Sequence, residues 1–171
     1  IVLFLPVFCP TIGAHLSPYI VILNYHSIYS SHINDWTVSV DMFNSQMQYL
    51  INNNIEIISL KDIDSVCLNH DFGKKLYVCI TFDDGFEDNY INAFPILKKY
   101  NITASFFIVV NSLIKNNTSA WWLTQNKTYG NKIKLMNVDQ INNLYINGNE
   151  LGGHVKLPPI LGQQLKTIFC A

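Results

Sequence analysis

Two adjacent carboxylates, Asp83 and Asp84, close the apolar run Leu76-Tyr77-Val78-Cys79-Ile80-Thr81-Phe82, and Gly85 follows them. Neighbouring acids repel one another and are costly beside an apolar core, so they call for a neutralising partner, either a divalent cation or a shared proton. In such a pair one acid can hold a metal while the other moves protons. The bland alternative is that both open a turn and cap the helix that follows. An apolar run without alternation predicts a strand buried on both faces, as in a parallel sheet covered by helices, where ligand sites lie at the carboxyl ends. Gly85 then lets the backbone turn sharply. One histidine takes a similar place: His26 follows the apolar stretch from Tyr19 to Tyr25.

The elements that must position these groups are legible on either side. Val40, Phe43, Met47 and Leu50 fall on one helical face, with Ser39 as its cap and Asn52-Asn53-Asn54 as its stop. Ile55 to Ser59 predicts a short strand, and Leu60, Ile63 and Val66 predict one or two helical turns. Beyond Gly85 a helix bears Ile91, Phe94, Ile96 and Leu97, and Pro95 should kink or loosen it. Thr103 to Val110 is the next strand. A strand, helix and parallel strand in this order make a crossover that brings Asp83 and the loop after Val110 to one rim. That loop runs from Asn111 to Lys134 and contains Trp121-Trp122, whose faces are candidates for sugar stacking. Asn137 caps a helix bearing Val138, Ile141 and Leu144, and Asn147-Gly148 stops it. Adjacent acids also exclude the aspartyl-phosphate arrangement, which needs Asp-x-Asp.

With 171 residues and a net charge of -1, the chain has the composition of one globular domain and no electrostatic footprint for nucleic acid. No apolar stretch is long enough to span a bilayer. Residues 1–18 carry no Lys, Arg, Asp or Glu and read as an export-signal remnant or a buried apolar arm. Cysteines 9, 67, 79 and 170 show no short paired spacing and read as buried thiols.

Thr81-Phe82-Asp83-Asp84-Gly85 resembles the first motif of the polysaccharide deacetylases, the NodB-homology or carbohydrate esterase family 4 fold. Leu23-Asn24-Tyr25-His26 and the stretch from Phe43 to Leu60 resemble the subgroup acting on poly-β-1,6-N-acetylglucosamine. The approach Asn149-Glu150-Leu151-Gly152-Gly153-His154 matches that to the family's second motif. The resemblance implies an α/β fold, the N-terminal part of an irregular (β/α) barrel, with residues 19–171 forming a partial deacetylase domain. It also implies hydrolysis of N-acetyl groups on an amino-sugar polysaccharide in the cell envelope or outside it. A divalent metal, zinc foremost, would be held by Asp84 and His154, with Asp83 as catalytic base. Tyr25, His26, Trp121 and Trp122 are candidate substrate contacts.

The second motif, His-Ser/Thr-x-x-His, is not complete: Val155 and Pro158 stand where the hydroxyl residue and the second histidine belong. The family's later strands, arginine motif and acid histidine have no counterpart before Ala171, so the sequence reads as a truncated deacetylase. Two alternatives stand beside this reading, a degenerate glycan-binding module and an O-deacetylase acting on acetylated xylan.

Overall fold

The computed structural model describes residues 3–7, 19–30, 35–68, 76–110 and 134–154, with only the backbone at 3–7 and Tyr19. The candidate residues Trp121, Trp122 and Pro158 lie outside that set.

Four parallel strands carry the architecture: β2 (Tyr19–Tyr25), β6 (Leu76–Phe82), β7 (Ser105–Val109) and β8 (Glu150–His154). They stand in the order β2-β6-β7-β8, and β1 (Leu3–Val7) adds an antiparallel edge against β2. Pro6 lies in that edge strand, one of the few places in a sheet where proline is tolerated. Between β2 and β6 the chain forms β3 (Ser27–Tyr29), β4 (Thr37–Ser39), α1 (Val40–Asn52), β5 (Glu56–Ile57), a 3₁₀ turn at Leu60–Asp62 and α2 (Ile63–Leu68). One edge of β6 pairs with β2 along its whole length. Its other edge is shared, with β5 at Tyr77 and Val78 and β7 at Thr81 and Phe82.

Strand alternation divides the sheet into two faces. Leu23 and Tyr25 of β2, Val78, Ile80 and Phe82 of β6 and Phe106 and Ile108 of β7 pack with Phe43, Met47 and Leu50 of α1 in the larger core. Ile20, Tyr77 and Cys79 point the other way and pack with Ile58, Leu60, Ile63 and Val66. The expected burial of the strand before the acids on both faces follows from this double cover.

The α1 start is set by Ser39, whose Oγ accepts from the Met42 N–H at 3.1 Å. Beyond the acids the expected loosening at Pro95 takes the form of a π turn over Asn89–Ala93, after which α3 (Phe94–Lys99) begins with the proline in its first turn. Pro95, which has no N–H to donate, thus directly follows the π turn in a helical run that began at Glu87. α4 (Val138–Ile146) opens with a full capping box between Asn137 and Gln140 and stops at Gly148, whose φ is +84°. No helix among the described residues is long and apolar enough to cross a membrane. Cys79 is a buried free thiol, pushed up to about 11 by burial and by the charges of Glu150 and Asp62. Cys67 is disulfide-bonded, which corrects the reading of all four cysteines as thiols.

Candidate functional site

Because β2, β6, β7 and β8 run parallel in register, their carboxyl ends Tyr25, Phe82, Val109 and His154 share one rim. The Asp83 N–H donates to the Tyr25 carbonyl at 2.9 Å and carries β6 one residue past its formal end. There the backbone turns through two successive left-handed residues, Asp84 at φ +71° and Gly85 at φ +67°. Aspartate tolerates that conformation better than most side chains, and its presence in a turn of this kind is a common mark of a functional constraint. At Gly85 a β-carbon would lie 3.2 Å from Ile108 Cδ1 and 3.4 Å from its Cα, so both the turn and the approach of β7 require glycine. The segment before α4 pins the turn: the Met136 N–H donates to the Gly85 carbonyl at 2.9 Å, and the Glu87 N–H to that of Lys134 at 2.8 Å. Helical structure begins only at Glu87, so neither acid is a helix cap.

The two acids point to different partners. Asp84 is buried, 1% exposed, with Oδ1 3.1 Å from Nε2 of His154. Asp83 still reaches solvent and lies with Oδ2 4.0 Å from Nε2 of His26. The same Oδ2 accepts from Asn24 Nδ2 at 3.0 Å, while Asn24 Oδ1 accepts from the Thr81 hydroxyl at 3.1 Å. Asn24 and Thr81 are register partners on β2 and β6. The hydroxyl therefore orients the amide, and the amide orients the carboxylate.

His26 occupies the single position between β2 and β3, where the chain leaves the main sheet for the small one. Three side chains at the start of the helical region fix that corner. Asp88 accepts from the Ser27 hydroxyl at 2.6 Å and the Ile28 N–H at 3.3 Å, Asn89 donates to the His26 carbonyl at 2.8 Å, and Asn92 donates to the Ile28 carbonyl at 2.8 Å. Burial pushes the Asp88 carboxyl up to about 6. The bonds from Ser27, Ile28 and Asn89 oppose the rise, and the charge of Glu87 adds to it.

A carboxylate and an imidazole are suitable donors for a divalent cation, and two atoms each bound to one tetrahedral zinc sit about 3.3 Å apart. The separation of 3.1 Å between Asp84 and His154 is close to that value. Among the described residues no three His, Cys, Asp or Glu side chains group to hold an ion, so the pair fits in kind and falls short in number.

Asp83, Asp84, His154 and His26 are thus brought together from three strand ends. Tyr25 is not among them, and the expectation of a substrate contact there is corrected. Its ring is fully buried, stacks on Phe82 at 5.5 Å and meets Phe43 edge-on at 5.0 Å, and its hydroxyl donates to Gln46 Oε1 at 2.9 Å. Alternation places residue 25 on the helix-covered face with Leu23. Sequence reasoning gave no role to Asn24, Trp36 or Asp88, since nothing local marks them. A second cluster lies at the opposite ends of the strands, where Glu150 accepts from Ser59 at 3.0 Å and Ser105 at 2.7 Å and lies 3.8 Å from Lys61. Burial raises this carboxyl, but the two hydroxyls, the Lys61 charge and the Leu60 N–H outweigh it and leave Glu150 below its ordinary value.

Residues 71–158 match the family model described as polysaccharide deacetylase. The chain is 36% identical over 92 residues to the Bacillus subtilis protein YxkH, covering 54% of this chain and 32% of that one. It is 35% identical over 88 residues to the poly-β-1,6-N-acetyl-D-glucosamine N-deacetylase of Staphylococcus epidermidis, covering 52% and 30%. Among solved structures, IcaB from Ammonifex degensii superposes with a TM-score of 0.64 at 23% identity, over 82% of this chain and 55% of that one. The chain spans about a third of the length of these curated relatives.

Proposed function

As the chain belongs to the polysaccharide deacetylase family, we propose that it is part of an enzyme that hydrolyses N-acetyl groups on an amino-sugar polymer at the cell envelope or outside it. The observation that carries the reading is the division of labour between two adjacent acids: Asp84 is buried against His154, and Asp83 is turned toward solvent and His26. Asp84 and His154 would hold a divalent cation, with zinc the first choice for this donor pair. When bound, such an ion would polarise the acetamide carbonyl, make a water more acidic and stabilise negative charge on the tetrahedral carbon's oxygen. Asp83 takes the proton from the attacking water at a carboxylate oxygen. The Asn24 amide holds that carboxylate at Oδ2, so the base meets substrate with its orientation already set. His26 forms the adjoining wall.

The test is acetate release from β-1,6-linked N-acetylglucosamine oligomers in the presence of zinc. Asp83→Asn should abolish release while leaving zinc affinity by calorimetry within about twofold, and Asp84→Ala should abolish both. Release that survives Asp83→Asn rules out the base assignment.

One observation favours a second reading, a glycan-binding module without catalysis: the described residues supply two ligands where a stable site usually has three. Absence of zinc binding in calorimetry, with oligomer binding retained, would select it.

A further inference from the structure

We propose that the indole of Trp36, backed by His26, is a stacking platform for a pyranose ring of the substrate beside Asp83; the inference rests on the deacetylase reading. Trp36 is 49% exposed, and its ring lies 5.8 Å from that of His26, inclined by 38°. His26 in turn stands 4.0 Å from the Asp83 carboxylate. A half-exposed indole thus adjoins the acids through one intervening ring. Tyr49 and Tyr145, the other large exposed aromatics among the described residues, stand on α1 and α4, whereas Trp36 touches the rim itself.

The chemistry of a pyranose suits this arrangement. Its axial C–H bonds form an apolar face and its hydroxyls an equatorial polar edge. A flat indole with electron density on its faces can cover the first without desolvating the second. The support beneath the ring is ordered. The Trp36 carbonyl accepts from the Ser27 N–H at 3.4 Å, Ser27 is bonded to Asp88, and the next residue, Thr37, enters β4, which pairs with β3. A platform on a fixed backbone loses little conformational freedom on binding, and more of the contact remains as affinity. A polymer threaded over Trp36 would present an N-acetyl group to Asp83 from the β2 side of the rim.

The experiment uses the full chain, isotope-labelled and kept in chelator so that binding is read without turnover, titrated with a β-1,6-linked N-acetylglucosamine trisaccharide. The indole N–H of Trp36, assigned by its loss in Trp36→Phe, should move with the titration. Trp36→Ala should weaken binding about tenfold, and Trp36→Phe should recover most of it. Dispersed amide spectra show that each variant is folded, as an exposed position leads one to expect. Binding with the Trp36 resonance unmoved, equal affinity in Trp36→Ala, or no binding by the wild-type chain each overturns the platform. An unchanged KM for acetate release in Trp36→Ala removes the platform but leaves the deacetylase reading. Loss of binding in Trp36→Ala, in a chain that releases no acetate, does the reverse.

Discussion

Asp88→Asn should make the protein more stable at neutral pH and leave it little changed in acid. Asp88 is 9% exposed, and its carboxyl is raised from an ordinary 3.8 to about 6, chiefly by burial. Between those values the unfolded chain has released a proton that the native chain still holds. Stability therefore falls as pH rises through this window, by about 3 kcal/mol for a shift of roughly two units. Below 3.8 both states are protonated and the effect vanishes; above about 6 it is complete. Asparagine keeps an acceptor for the Ile28 N–H and can donate to the Ser27 hydroxyl, so the corner at His26 survives the change. The assay is urea unfolding of wild type and variant in chelator, from about pH 4 to about pH 8. Other titrating groups largely cancel in the difference between the two proteins. That difference should grow by about 3 kcal/mol across the range, or roughly 6 to 12 °C in melting temperature for a chain of this length. A difference that stays flat with pH would refute the argument, because it would mean that the native carboxyl titrates like an unfolded one.

The opposite sign is expected at Glu150, whose carboxyl lies below its ordinary value of 4.5. Glu150→Gln should cost about 2 kcal/mol at neutral pH through weaker bonds from Ser59 and Ser105. The deficit should fade as pH falls through the depressed native value, as read by the same unfolding series. Asn24→Leu should cost about 1 to 3 kcal/mol, since it removes the acceptor of the buried Thr81 hydroxyl and the donor to Asp83. Thr81→Val added to it should restore part of that loss in a double-mutant cycle, and costs that simply sum would show the hydroxyl and amide to be uncoupled.

What the sequence made legible is what local patterns control. The Ser39 cap, the apolar face of α1, the buried strand before the acids and the Asn137 cap each depend on residues within a few positions of one another. Asp83 and Asp84 could be named because they close an apolar run, whereas His154, which follows Glu-Leu-Gly-Gly, could be named only through the resemblance to the family's second motif. Tyr25 was misplaced for an equally physical reason. It stands at a strand's end like His26, but alternation turns it toward Phe43 and Phe82, and one step of parity separates a wall of the site from the floor of the core.

Asn24, Asp88 and Trp36 were hidden by a different kind of distance. The Asn24 contact with Asp83 spans 59 residues and exists only in the register that sets Asn24 opposite Thr81. In sequence, Asp88 is an ordinary acid at the start of a helix; its burial comes from Ser27 and Ile28, some 60 residues earlier. The π turn has the same origin. Proline explains why a helix loosens there, but the turn also carries Asn89 and Asn92, whose amides bond to the carbonyls of His26 and Ile28. An extra residue per turn changes the direction in which successive side chains project. The turn that follows the acids thus also grips the corner that carries His26. Asp88 works with those two amides from the same helical stretch, accepting from Ser27 and Ile28, so the segment that leaves the acids also sets where the wall formed by His26 and Trp36 stands beside the base.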